Sequence, residues 1–267
     1  NASRPSTVSC MRPQNPNLRL ASMTQIRIGT SGYQYDHWKG VLYPDDMPKK
    51  QWFTRYSETF DTVEINNTFY NLPSQTTFDK WRKAAPRHFL YVLKFSRYGS
   101  HLKCLKDPQD TIGRFLEAAG RLENRLGPIL VQLKPNWGVD PNRLTAFLDA
   151  APADQRWAVE FRDPSWLCDD VYQILRDHNA AIVVHDMIEN HPRIHTADWV
   201  YLRFHGDHYA GSYSPQYLTA RAEEISNHCA QGRDVYAFFN NDAEGHAVRN
   251  ALDLKRHLQK RSGFPKD

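Results

Sequence analysis

The sequence predicts a single α/β domain, a (β/α)8 barrel of the TIM type. Three observations carry that expectation. Eight short apolar runs rich in β-branched and aromatic residues recur along the chain, helical patterns separate most of them, and no G-x-G-x-x-G follows the first run to suggest an open dinucleotide-binding sheet. Strands alternating with helices pair in parallel through right-handed crossovers, and a count of eight allows the sheet to close on itself. A chain of 267 residues, 40% hydrophobic and 24% charged, can bury a core of that size.

The first run, residues 25–32 (QIRIGTSG), precedes a helical pattern over 49–60. The second, 62–69 (TVEINNTF), precedes one over 74–85, and the third, 89–96 (FLYVLKFS), a long one over 107–126. The fourth, 128–135 (PILVQLKP), and the fifth, 156–163 (RWAVEFRD), lead into helices over 140–151 and 168–179. After the sixth, 180–186 (AAIVVHD), the link over 187–198 lacks a helical pattern, which makes one β/α unit irregular. The seventh, 199–206 (WVYLRFHG), and the eighth, 234–242 (DVYAFFNND), are followed by helices over 214–230 and 243–258. Ser74, Asp140 and Ser214 stand where N-caps are needed, the last with Pro215 at the first helical position. Residues 1–24 read as a polar leader, 25–260 as the barrel domain and 261–267 as a tail, with Met23 the expected native start.

Net charge is +4 and the two signs are interspersed, so nothing resembles a basic arm; nucleic acid is permitted as a partner but weakly supported. Cys10, Cys104, Cys168 and Cys229 are far apart and form no metal-ligand spacing, which fits a reduced, cytoplasmic setting. No apolar run is long enough to span a bilayer, so no membrane partner is expected.

A side-chain period of two splits each strand into a helix-facing and an interior set. The helix-facing set is apolar: Val63 and Ile65, Leu93 and Phe95, Val131 and Leu133, Val159 and Phe161, Leu202 and Phe204, Ala237 and Phe239. The interior set turns polar toward the strand ends: Glu64 and Asn66, Lys94 and Ser96, Gln132 and Lys134, Glu160 and Arg162, Asp186, Arg203 and His205, Asn240 and Asp242. Isolated charges inside a barrel would each cost several kcal/mol. Glu64, Glu160, Asp186 and Asp242 are therefore expected to pair with Lys94, Lys134, Arg162 and Arg203 in a buried network below the C-terminal mouth, where barrels carry their chemistry. His185, adjacent to Asp186, is expected to face the helices.

The loops after the strands add Thr30, Ser31, Tyr33 and Trp38, then Tyr70, then Arg97 and His101, then Trp166, and finally Gly206 with His208, Tyr209 and Tyr213 ahead of a helix N-terminus suited to an anion.

The motifs "GTSGY", "TVEINNTFYNLP", "LGPILVQLKPNW", "AVEFRDPSW", "VYLRFHG" and "VYAFFNND" together resemble the YecE-like family, domain of unknown function 72, in order from about Ile26 to Leu258. Tyr33 stands where that family commonly has tryptophan and Lys134 where it frequently has proline. The resemblance implies a TIM-type barrel and supplies no function.

The residues themselves suggest an enzyme, of hydrolase, lyase or isomerase type, that holds a small polar or anionic, phosphate- or sugar-bearing ligand in the mouth. Glu64 or Glu160 would act as general base and His205 as its acid partner. The ligand would meet Thr30, Ser31, Tyr33, Trp38, Asn66, Tyr70, Lys94, Ser96, Arg97, His101, Gln132, Arg162, Trp166, Asp186, Arg203, Gly206, Asn240 and Asp242. A divalent-metal phosphoesterase or nuclease is the alternative; it is disfavoured because Lys94, Arg162 and Arg203 would repel a cation and no H-x-H or H-E-x-x-H is present. No metal ligand is assigned and no cofactor is expected. A non-catalytic module for single-stranded nucleic acid is the third reading. The oligomeric state is open.

Overall fold

The computed structural model describes residues 24–206 and 211–261. Most of the expected leader and tail, and the loop residues His208 and Tyr209, lie outside the described residues. Among the described residues eight β-strands and eight α-helices follow one another along the chain. The first half contains β1 (Ile26–Thr30), α1 (Trp52–Thr59), β2 (Thr62–Ile65), α2 (Asn67–Tyr70), α3 (Gln75–Ala84), β3 (Leu90–Lys94), α4 (Pro108–Ala119) and β4 (Leu126–Gln132). The second half contains α5 (Pro141–Ala150), β5 (Trp157–Glu160), α6 (Asp169–Asp177), β6 (Ala181–His185), β7 (Trp199–Phe204), α7 (Pro215–Ala230), β8 (Asp234–Phe239) and α8 (His246–Gln259). All strand pairs are parallel, in the order β1-β8-β7-β6-β5-β4-β3-β2. The barrel is of the TIM type, and β6 reaches β7 without an intervening α-helix, as the irregular link foretells.

The seam between β1 and β2 joins just past the end of β1, where Ser31 bridges to Glu64 and the Gly32 amide donates to the Glu64 carbonyl at 2.8 Å. Below it, β2 approaches β1 so closely that a Cβ on Gly29 would lie 2.4 Å from the Thr62 carbonyl oxygen. Only glycine fits there, because overlap with backbone cannot be relieved by a side-chain rotation.

Ser74, Asp140 and Ser214 cap α3, α5 and α7, accepting from the amides of Thr77, Arg143 and Tyr217. Two elements depart from expectation. The second strand stops at Ile65 instead of running to Phe69: Asn66 turns helical, and Thr68 donates its hydroxyl to the Ile65 and Lys94 carbonyls at 3.1 and 2.7 Å. The helix expected to reach residue 126 ends at Ala119, where Gly120 weakens it and Glu123 adopts a φ of 50°, so β4 starts at Leu126.

Two separate apolar cores follow from the two strand faces. The larger lies between strands and helices and contains the whole expected helix-facing set. The smaller fills the barrel's middle with Val92, Leu130, Ala158, Val183, Trp199, Tyr201, Tyr236 and Phe238. Charges flank this inner plug at both ends: Arg27–Asp61 at 2.6 Å and Arg156–Asp234 at 2.8 Å at the N-terminal end, and the network described below at the other.

Gly29→Ala is expected to lower stability by about 1–3 kcal/mol through overpacking at the seam. Gly113→Ala, in an exposed turn of α4 with open space around it, is expected to raise it by about 0.5–1 kcal/mol. Urea denaturation of both variants checks the pair, and a neutral Gly29→Ala would refute the close approach.

Candidate functional site

Arg203, near the C-terminal end of β7, is almost fully buried, as are its two partners. Its Nη2 donates to Glu64 Oε1 at 2.6 Å and its Nη1 to Glu160 Oε2 at 2.5 Å. Glu64 also accepts from Ser31 Oγ at 2.7 Å and from the Tyr201 hydroxyl at 2.6 Å. Glu160 takes a second guanidinium through Arg162 Nε. Burial alone would raise the Glu160 pKa, but Arg203 and Arg162 outweigh it and hold the carboxyl well below its ordinary range. One buried arginine thus ties β7 to β2 and β5.

His205 extends this network outward. Its Nδ1 lies 3.2 Å from Asp186 Oδ1, and its Nε2 lies 3.2 Å from Arg162 Nη2. A guanidinium can only donate, so Nε2 accepts and the Nδ1–H points at Asp186. Burial lowers the His205 pKa, and the bond to Asp186 only partly offsets it, so the imidazole is neutral near pH 7. Burial would raise Asp186, but hydrogen bonds from His205 and Tyr213 keep it an anion.

A third group lines the β3–β4 side. The Lys94 ammonium sits 4.3 Å from the centre of the Phe69 ring, and no hydrogen bond or ion pair involves it among the described residues. Burial, with Arg203 adding repulsion, lowers its pKa to about 8. His101 packs on Phe69 at 4.8 Å; burial and then the charges of Lys94, Arg97, Lys134 and Arg162 lower its pKa to about 4. Four cations therefore act on one imidazole, and the heads of Lys94, Arg97 and Lys134 have no carboxylate partner among the described residues.

The expected pairing is met only in part. Glu64, Glu160, Arg162 and Arg203 form the network, while Lys94 and Lys134 stay outside it, and Asp242 turns away to Trp38 Nε1 at 2.8 Å and His37 at 3.1 Å. Gln132 shares the interior face, in register with Glu160. Asn240, just after β8, donates its amide to the Phe204 carbonyl at 2.7 Å.

Several expected ligand contacts are placed elsewhere. Thr30 faces α1, bonded to the Tyr56 hydroxyl at 2.9 Å. Trp38 and Trp166 are fully buried; Trp166 stacks on Phe161 and donates to the Trp137 carbonyl. The aromatic wall after β1 is therefore partly core. Ser96 Oγ accepts from the Gly99 amide at 3.2 Å, at the start of the π-helical turn Tyr98–Leu102. Tyr70 is 69% exposed and projects from the rim. The Gly206 amide is taken by the Tyr213 hydroxyl at 2.6 Å. Tyr33 and Asn66 line a pocket of about 340 Å³ between the β1 and β2 loops that reaches Trp81 of α3, and no member of the ionic network lines it.

The expectation for His185 is overturned. It pairs in register with Arg203 and so shares the interior face; its Nε2 lies 2.8 Å from the Phe161 carbonyl and its ring packs on His191 and His205. Asp186 reaches the site because the strand ends before it. Tyr201 is a further site residue that the sequence pattern does not single out, although it shares the period of Arg203 two residues on. Phe69 carried no signal, since its role depends on β2 ending early.

Among the described residues no cluster of three or more His, Cys, Asp or Glu side chains is arranged to hold a metal ion, and no helix is long and apolar enough to cross a membrane. Cys104, Cys168 and Cys229 are free thiols.

Fold and site together define a (β/α)8-barrel protein with an arginine-centred ionic network at its C-terminal mouth. The chain belongs to the DUF72 family, described as "Protein of unknown function DUF72", whose model matches residues 27–266. It is similar to UPF0759 protein YunF of Bacillus subtilis (strain 168), 24% identical over 267 residues that span 86% of this chain and 93% of YunF. A DUF72 family crystal structure from Thermotoga maritima MSB8 is 30% identical with a TM-score of 0.80, covering 88% of this chain and 99% of that one. Another, from Enterococcus faecalis V583, shares the fold at 21% identity and a TM-score of 0.75, covering 91% and 99%.

Arg203→Met is expected to destabilise the protein by about 3–5 kcal/mol, because two carboxylates lose their buried counter-charge. The penalty shrinks as the pH falls. In the native protein Glu160 has a depressed pKa, so its contribution is present above the unfolded carboxylate range and disappears as pH falls through the folded value. The variant loses the larger of the two charges that hold the Glu160 carboxyl down, so it has less of this contribution to lose, and acidification from pH 7 should narrow the gap to the parent. Thermal melts across pH 4–8 check this; a constant gap would contradict the network's electrostatic role.

Proposed function

We propose that this chain is an enzyme that holds a small anionic ligand at the C-terminal mouth, with acid–base chemistry centred on His205. One observation carries the reading: the charges of Lys94, Arg97 and Lys134 all act on His101 and none has a carboxylate partner among the described residues, while the nearby carboxylates Glu64 and Glu160 are already neutralised by Arg203 and Arg162. The rim on that side has surplus positive charge, and phosphate or carboxylate oxygens are the chemistry that would complement it.

In this reading Glu64 and Glu160 hold Arg203 in place, since their oxygens already accept from arginine, tyrosine and serine donors. Proton transfer falls to His205, a neutral imidazole oriented by Asp186, whose Nε2 becomes available when an anion draws Arg162 away. Arg162 is the switchable partner because it lies at the network's outer edge, with 10% of its side chain exposed.

A second reading rests on Tyr70 and Tyr98, 69% and 47% exposed, with Lys103 5.6 Å from the Tyr98 ring. Such aromatics beside cations suit the stacking of single-stranded nucleic acid.

Isothermal titration with inorganic phosphate is expected to show saturable binding at one site, weakened about tenfold in Lys134→Met by loss of one charge-assisted contact. Absence of saturable phosphate binding would overturn the reading. Oligonucleotide binding that falls steeply with salt and is lost in Tyr98→Ala, with phosphate binding intact, would favour the second.

A further inference from the structure

We propose that Lys94 is a covalent nucleophile that condenses with the carbonyl carbon of a small anionic aldehyde or ketone to form an imine. The inference deepens the anion-binding reading by naming the substrate class, and it rests on that reading for the anionic group.

Lys94 closes β3 at the mouth, where barrel strands present their reactive side chains. Its backbone is fixed by the Thr68 hydroxyl on its carbonyl at 2.7 Å. The side chain is 9% exposed, and its ammonium makes neither a hydrogen bond nor an ion pair among the described residues; its one close partner is the Phe69 ring. A lysine serving only structure would direct its charge to a carboxylate or to water, and two carboxylates lie in the same mouth. Both are occupied by Arg203. Such an arrangement leaves an amine that is desolvated and repelled by neighbouring guanidinium groups, the two conditions that activate lysine toward carbonyl carbon.

The groups that act electrostatically on Lys94 are Arg203 from β7, Glu160 and Arg162 from the end of β5 and Glu64 from β2. Lys94 in turn acts on His101, from the turn after β3. Burial is the largest influence and brings the ammonium to about 8, so a substantial neutral fraction exists at physiological pH.

The step balances without a further reactant. The neutral amine attacks the carbonyl carbon, the π pair moves to oxygen, and one nitrogen proton passes to that oxygen to give a carbinolamine. The second nitrogen proton leaves with the hydroxyl as water, and the C=N bond forms. Arg97 and Lys134, at the rim, would hold the anionic group while the carbonyl reaches inward.

The test is reductive trapping on the full chain, with sodium cyanoborohydride and either glyoxylate, which is anionic, or glycolaldehyde, which is neutral, followed by peptide mass mapping. Exposed Lys50 and Lys80 serve as internal references. Lys94 is expected to be modified by glyoxylate at least about tenfold faster than either reference at pH 7.5, given its lowered proton affinity, with the rate rising through pH 8. Modification of Lys94 no faster than Lys50 and Lys80 with both aldehydes would overturn the proposal. Preferential modification by both aldehydes at equal rates would keep the nucleophile and remove the anion site. Saturable phosphate binding without preferential trapping would do the reverse.

Discussion

Arg203 between Glu64 and Glu160 is the interaction on which the rest of the mouth depends. Three charges buried in a barrel would be prohibitive singly; together, with Arg162, they neutralise one another and use the hydrogen bonds of Ser31 and Tyr201 to satisfy what remains. A hydrophobic replacement of the same volume could match its stability. Its distinctive product is geometric: β1, β2, β5 and β7 are tied at one level across the barrel, directly above an apolar plug that contributes no specificity of its own.

That tie also decides the electrostatics of the rim. With both acids matched to arginine, the cations of β3 and of the loops after β3 and β4 have no carboxylate partner among the described residues, and a buried lysine and a half-buried histidine are left with depressed proton affinities. Two titrating groups on one side and an Asp-oriented imidazole on the other give the mouth both a positive field and neutral bases at pH 7, a combination that suits reaction at an anionic molecule better than passive stability.

The barrel itself was readable because each of its determinants is local: apolar alternation, capping serines, and the missing helix after β6. Glu64, Glu160 and Arg203 were readable for the same reason, since their period places them inside and charge forces them to pair. What escaped depended on where strands stop. Ending β2 at Ile65 swings Phe69 over Lys94, and ending β6 at His185 puts that histidine inside and lets Asp186 reach His205. Trp166 and Trp38 misled because an aromatic in a loop looks the same in sequence whether it meets a ligand or fills the space behind a strand. Asp242 departs from the pattern because its partners, Trp38 and His37, lie on a loop, with His37 205 residues away in sequence, and not in the barrel.

Arg203 and Arg162 keep Glu160 ionised although it is fully buried. Site-selective carboxyl-13C NMR of glutamate-labelled protein, with the resonance assigned by Glu160→Gln, measures this directly. Glu160 is expected to remain a carboxylate as the pH falls through 4.5, the midpoint of an ordinary glutamate. A Glu160 resonance that titrates at or above that pH would show that burial prevails over the arginines, and the neutralised network would not exist.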